Sequence, residues 1–127
     1  MTSIAARLDL VNDRIARAAA RSGRPASSVT LVAVSKTVPA PRVLEAYEAG
    51  VRDFGENYVQ EALGKLPLLP SDVRWHFIGR LQTNKVKHVP GRFALVHGID
   101  TLGLAEALGR RSDAAGTRQK VLIEVKL

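Results

Sequence analysis

Lys36 is the residue whose setting most favours covalent chemistry. It follows the run Val29-Thr-Leu-Val-Ala-Val-Ser35, and counting back by two puts Val34 and Val32 on its side of a strand. An ammonium at the C-terminal end of a buried strand sits where α/β folds gather their sites, and apolar flanks favour the neutral amine that attacks an aldehyde to form a Schiff base. The same spacing also suits an ordinary solvated lysine at a strand-to-loop junction.

Three further stretches could face a ligand. In Gly55-Glu56-Asn57, Gly55 allows a tight turn and Asn57 either caps the next helix or turns its amide to a ligand oxygen. His76 alternates with Trp75 and Phe77 on another apolar run, as either a hydrogen-bonded core histidine or a ligand contact. Gly79-Arg-Leu-Gln-Thr-Asn-Lys85 reads as a polar loop opening a helix, and Arg80, Lys85, Lys87 and His88 make it an anion site or a solvated basic face. His97 precedes Gly98-Ile-Asp-Thr101, where Asp100 or Thr101 caps a helix.

Other chemistries are excluded. With no cysteine there is no thiolate nucleophile or Cys-bound metal, and the three histidines show no metal-ligand spacing. Neither a Gly-x-Gly-x-x-Gly fingerprint nor a Walker phosphate loop occurs.

These residues need a scaffold, and the hydrophobic pattern supplies one. Ile4, Leu8, Val11, Ile15 and Ala18 recur at helical steps with Arg7, Arg14, Arg17 and Arg21 opposite, and Ser22-Gly-Arg-Pro25 ends that helix. Strands are expected at 29–35, 51–54, 73–78, 93–97 and 119–125. Helices are expected between them, after Pro39 and Pro41 and ending at Gly50, at 57–66, at 83–89 and at 101–115. Strict alternation of this kind calls for parallel strands joined by helical crossovers.

Residues 1–127 then form one domain. With 127 residues, 46% of them hydrophobic, the chain can bury a single core. Two architectures share the element order, an open doubly wound sheet and a (β/α)8 TIM-type barrel. The last apolar strand is followed only by Lys126-Leu127, so the expectation is a barrel cut after about five strands, with an extra N-terminal helix and open edges prone to self-association. The net charge of +7 admits a basic nucleic-acid-binding module, but the arginines are explained by the solvated face of the first helix. No apolar run reaches membrane-span length, and the opening residues lack an export signal, so a cytoplasmic location is expected.

Four blocks carry a resemblance. Leu31-Val-Ala-Val-Ser-Lys-Thr37, Phe54-Gly-Glu-Asn-Tyr-Val-Gln-Glu61, Trp75-His-Phe-Ile-Gly-Arg-Leu-Gln-Thr-Asn-Lys85 and Val96-His-Gly-Ile-Asp100 occur in the order of the pyridoxal phosphate homeostasis protein family, which the chain resembles from about Ile4 to Leu127. The resemblance implies a fold similar to the N-terminal barrel domain of alanine racemase. It also implies pyridoxal 5′-phosphate held as an aldimine on Lys36, with Asn57, His76 and Asn84 facing the cofactor. The implied role is vitamin B6 and amino-acid homeostasis without turnover, the alternative being a racemase-like enzyme. Two departures stand out. The family holds the cofactor phosphate on later loops that this sequence does not contain, and Gly98 stands where relatives usually have Ser.

Overall fold

The computed structural model describes residues 3–127. Met1 and Thr2, which open the segment read as lacking an export signal, lie outside them. The elements run α1 (Ile4–Arg21), β1 (Ala33–Val34), α2 (Ala40–Glu48), β2 (Asp53–Glu56), α3 (Val59–Lys65), β3 (Arg74–Phe77), β4 (Leu95–Ile99), α4 (Leu102–Ala114) and β5 (Val121–Ile123). Short 3-10 turns occupy Ala26–Ser28, Leu66–Leu68 and Thr83–His88. No helix among the described residues is long and apolar enough to cross a membrane.

Local chemistry explains most boundaries. Ser3 opens α1 by accepting from the Ala6 N–H at 3.1 Å, and Gly23 takes the left-handed turn after it at φ 74°. Pro41 sits in the first turn of α2, where a missing N–H costs nothing. Thr101 caps α4 through its hydroxyl, 3.2 Å from the Leu104 N–H, as expected.

The five strands form one sheet in the order β1-β2-β3-β4-β5, every pair parallel. Doubly wound sheets reverse their strand order at a switch point, and this sheet does not. On its helix-covered face Phe54, Trp75, Phe77 and Val96 pack with Val43, Val59, Ala62, Leu104 and Leu108. Phe77 meets Phe93 edge to face, with centroids 5.5 Å apart.

Several expectations need correction. The strand expected at 29–35 pairs only at Ala33–Val34, because β1 has a single neighbour to supply ladder bonds. The helix expected at 83–89 is a 3-10 turn, too short to act as an anion-binding helix terminus. Asn57 does not cap α3; Tyr58 takes that position without a side-chain bond. Gly55 lies inside β2 rather than in a turn. A side chain there would press within 3.0 Å of the Ile78 Cδ1, so Gly55 serves close packing. In α1 the inward stripe is Ile4, Leu8, Ile15 and Ala19, while Val11 and Ala18 face solvent.

β4 departs furthest from a regular strand. Val96 pairs with Val121 and Ile99 with Ile123, so three steps on β4 match two on β5. The bulge puts both Val96 and Ile99 into the core and leaves His97 and Gly98 between them for the other face.

Candidate functional site

The sheet's second face is organised in rows by register. Asp53 pairs with Arg74, while Val34, Gly55, His76 and Leu95 align one row up. Extending the alternation by two brings Lys36, Asn57, Ile78 and His97 to the row at the C-terminal ends of the strands.

Lys36 is exposed, and Val34 beside it is 53% exposed, so the apolar flank expected around the lysine is not formed among the described residues. Among the described residues its hydrogen bonding is confined to its carbonyl, which accepts from the Thr37 hydroxyl at 2.6 Å, and its amine has no partner.

The backbone on either side of Lys36 is fixed by a buried cluster on the helix side. Glu56 is fully buried and accepts from the Ser35 hydroxyl and from Lys65 Nζ at 3.0 Å. Lys65 Nζ also donates to the Ser35 carbonyl at 2.6 Å and to Glu61 at 3.1 Å. The Glu61 carboxylate accepts the Thr37 N–H at 2.7 Å. Thr37 needs that hold, because it is the one non-glycine residue among those described with positive φ, at 62°. For a β-branched residue this conformation costs on the order of 1–3 kcal/mol. Burial raises the Glu61 carboxyl's proton affinity, but the bonds from Thr37 and Lys65 outweigh that and hold it below the usual range.

His76 is buried and does not stand alone. Its Nε2 is 2.9 Å from Asp53 Oδ1, and its Nδ1 is 2.9 Å from His97 Nε2. Arg74 grips the same carboxylate in a fork, with Nε 3.0 Å from Oδ1 and Nη2 2.7 Å from Oδ2. Burial works against the charge on Asp53, but the bonds from Arg74 and His76 prevail, and its carboxyl stays below the usual range. Burial, and then the neighbouring His76, push His97 below the ordinary histidine value.

His97 opens on a hollow of about 340 Å³ at the C-terminal end of the sheet, lined also by Ile78, Arg80, Asp100, Glu124 and Lys126. Asn57 is half-buried beside Gly79, whose backbone approaches so closely that a Cβ there would lie 2.5 Å from the Asn57 carbonyl oxygen. Asn84 is exposed on the 3-10 turn that packs against α4, away from this row. Gly98 has room for a side chain, its nearest contacts being 3.7 and 3.8 Å away. Among the described residues no three His, Asp or Glu side chains are placed to hold a metal ion.

Of the residues singled out from the sequence, His76 joins a hydrogen-bonded cluster, Asn57 packs beside Gly79 and Lys36 stands beyond β1, while Asp53, His97, Glu124 and Lys126 were not singled out. Asp53 stands two residues before Gly55, a spacing that signals a shared face. The partnership of His76 with His97 depends on the register of β3 with β4, which no local pattern announces.

No family model matches the chain. Among curated proteins it is 44% identical over 128 residues to one from Pseudomonas aeruginosa and 44% identical over 131 residues to one from Escherichia coli K12. Both are named pyridoxal phosphate homeostasis protein. Each match covers all of this chain and 56% of the relative, so the chain spans about half the length of the curated proteins it matches. Among solved structures, PipY of Synechococcus elongatus with PLP bound matches with TM-score 0.80 and 44% identity, over 98% of this chain and 55% of that one. PipY without PLP gives 0.81 and 42%.

Proposed function

The chain belongs to the pyridoxal phosphate homeostasis protein family, and on that premise we propose that it binds pyridoxal 5′-phosphate through the Lys36 amine in the service of vitamin B6 and amino-acid balance. The observation that carries this reading is the Lys36 amine just beyond β1, unpartnered among the described residues, in contrast to Lys65, whose ammonium is committed to three bonds, two of them buried. The residues present fit an aldehyde-bearing phosphate ester. A primary amine stands at the strand end, and Arg80 and Lys126 add positive charge around a hollow at the same end of the sheet.

When bound, the cofactor would supply an electrophilic aldehyde carbon, and Lys36 is the primary amine that would hold it. The protein's own contribution is positional. Glu56, Lys65 and Glu61 fix Ser35 and Thr37, so Lys36 is presented from a rigid strand end rather than from a loose loop. Asn57 and His76 belong to the surface the cofactor would face, and Asn84 is retained as a contact on the resemblance alone.

The five strands, in sequential parallel order, are read as the first part of a (β/α)8 barrel, with residues 1–127 a single unit and α1 an addition before β1. Their match to relatives about twice as long supports this reading. The relatives are named for homeostasis and not for a reaction, so the role assigned is binding without turnover, in the cytoplasm. Nucleic acid and membrane have no part in it.

Incubation with pyridoxal phosphate, borohydride reduction and peptide mapping test the assignment. Label is expected on Lys36. Label mainly on Lys65, Lys85, Lys120 or Lys126 would sink it. Chiral analysis after incubation with L-alanine and cofactor is expected to show no protein-dependent D-alanine, and its appearance would replace the binding role with a racemase.

A further inference from the structure

We propose that His76 and His97 hold one exchangeable proton between them, with Asp53 as its fixed counter-charge, and that His97 takes this proton from a ligand in the hollow at the strand ends. The ligand class is a small molecule with a titratable oxygen or nitrogen. This goes beyond the cofactor reading and does not depend on it.

The hydrogen-bond inventory dictates the arrangement. Asp53 is held ionised by the Arg74 fork and can only accept, so His76 Nε2 carries a hydrogen. In the neutral ring His76 Nδ1 is then an acceptor, and His97 Nε2 must donate to it. That leaves His97 Nδ1 as the lone pair still free to take a proton.

A proton taken up at His97 Nδ1 makes that ring cationic. Transfer of the shared hydrogen from His97 Nε2 to His76 Nδ1 then moves the charge to His76, beside the Asp53 carboxylate. The ligand loses one proton, the pair gains one, and nothing is oxidised or reduced. Asp53 stays ionised and stabilises the imidazolium without receiving the proton, as a carboxylate does in a catalytic triad. A second proton would place hydrogens on both facing nitrogens and break the 2.9 Å contact, so the pair holds only one.

The surroundings make this charge matter. Facing the pair are Asp53 from β2, Arg74 from β3, Arg80 after β3, Asp100 after β4, and Glu124 and Lys126 after β5. Within the hollow the two acids offset the two bases, so its charge is set by the proton on His97. Burial and the proximity of His76 favour the neutral ring of His97, which keeps the acceptor open.

Nitrogen NMR of the ligand-free protein tests the proposal. A coupling across the hydrogen bond between His76 Nδ1 and His97 Nε2 is expected, with one proton in total gained by the two rings as the pH is lowered. In Asp53→Asn the uptake is expected to move to lower pH by about one unit, the loss of one nearby opposite charge. Two rings that titrate independently, each gaining a proton, with no coupling between them, would overturn the proposal. So would an unchanged midpoint in a folded Asp53→Asn variant. If that variant fails to fold, the wild-type coupling and proton count decide alone. Loss of pyridoxal phosphate binding would leave this result untouched, so the two readings fail separately.

Discussion

Lys65 Nζ lies 2.6 Å from the Ser35 carbonyl oxygen, and this bond ties the end of α3 to the residue just before Lys36. The same ammonium neutralises a fully buried carboxylate, Glu56, whose Oε1 has no hydrogen-bond partner among the described residues. A lysine on a helix therefore governs the backbone that leads into the turn carrying Lys36.

Removing that ammonium leaves Glu56 buried and uncompensated. Lys65→Met is expected to cost about 3–5 kcal/mol in denaturant unfolding. Adding Glu56→Gln removes the stranded charge, so the double variant should be more stable than Lys65→Met alone. Strictly additive costs would show that the pair is not coupled.

The close approach of Gly79 to Asn57 makes a second prediction. A Cβ at Gly79 would sit 2.5 Å from the Asn57 carbonyl oxygen and 2.9 Å from its Cα, and backbone must yield. Gly79→Ala should cost about 1–3 kcal/mol, as overpacking does. Gly98→Ser meets only ordinary contacts and should stay within about 0.5 kcal/mol of the parent. Equal effects in thermal melts would contradict the packing described for this turn.

Asp53 gives a signed pH dependence. Its folded carboxyl is held below its unfolded value, so its contribution is complete above pH of about 4 and is lost as pH falls through the folded value. Asp53→Asn should be less stable than the parent at pH 7, and the difference should shrink progressively below pH 4. A difference that stayed constant down to pH 2 would assign the effect to packing.

Both ends of the described sheet are edges, and apolar residues stand exposed there. Ile123 is 76% and Val125 71% exposed. This polypeptide is expected to self-associate with rising concentration in sedimentation experiments, and Ile123→Lys should reduce that tendency. Identical monomeric behaviour of both would remove the edge as the cause.

The elements were legible where one residue decides them. Thr101 as a cap and Gly23 as a stop both act through their own chemistry. Phe54, Trp75 and Phe77 announced buried strands because apolar runs have few other homes. Strand limits were less legible, since the pairing of residues 29–35 depends on what lies beside them. The partners of His76 were hidden for the same reason. Asp53 and His97 are 23 and 21 positions away in sequence, and only parallel register sets them within bonding distance.

The extra residue in β4 has a consequence for comparing proteins. Side-chain direction in a strand is a parity, and between Val96 and Ile99 that parity is reset once. A relative one residue shorter in this stretch would keep the histidine's counterpart on the same face, because it alternates with the buried valine before it, but would lose the second position that Gly98 adds to that face. For this stretch, then, the number of residues between the two buried anchors decides whether one position or two reach the face of His97.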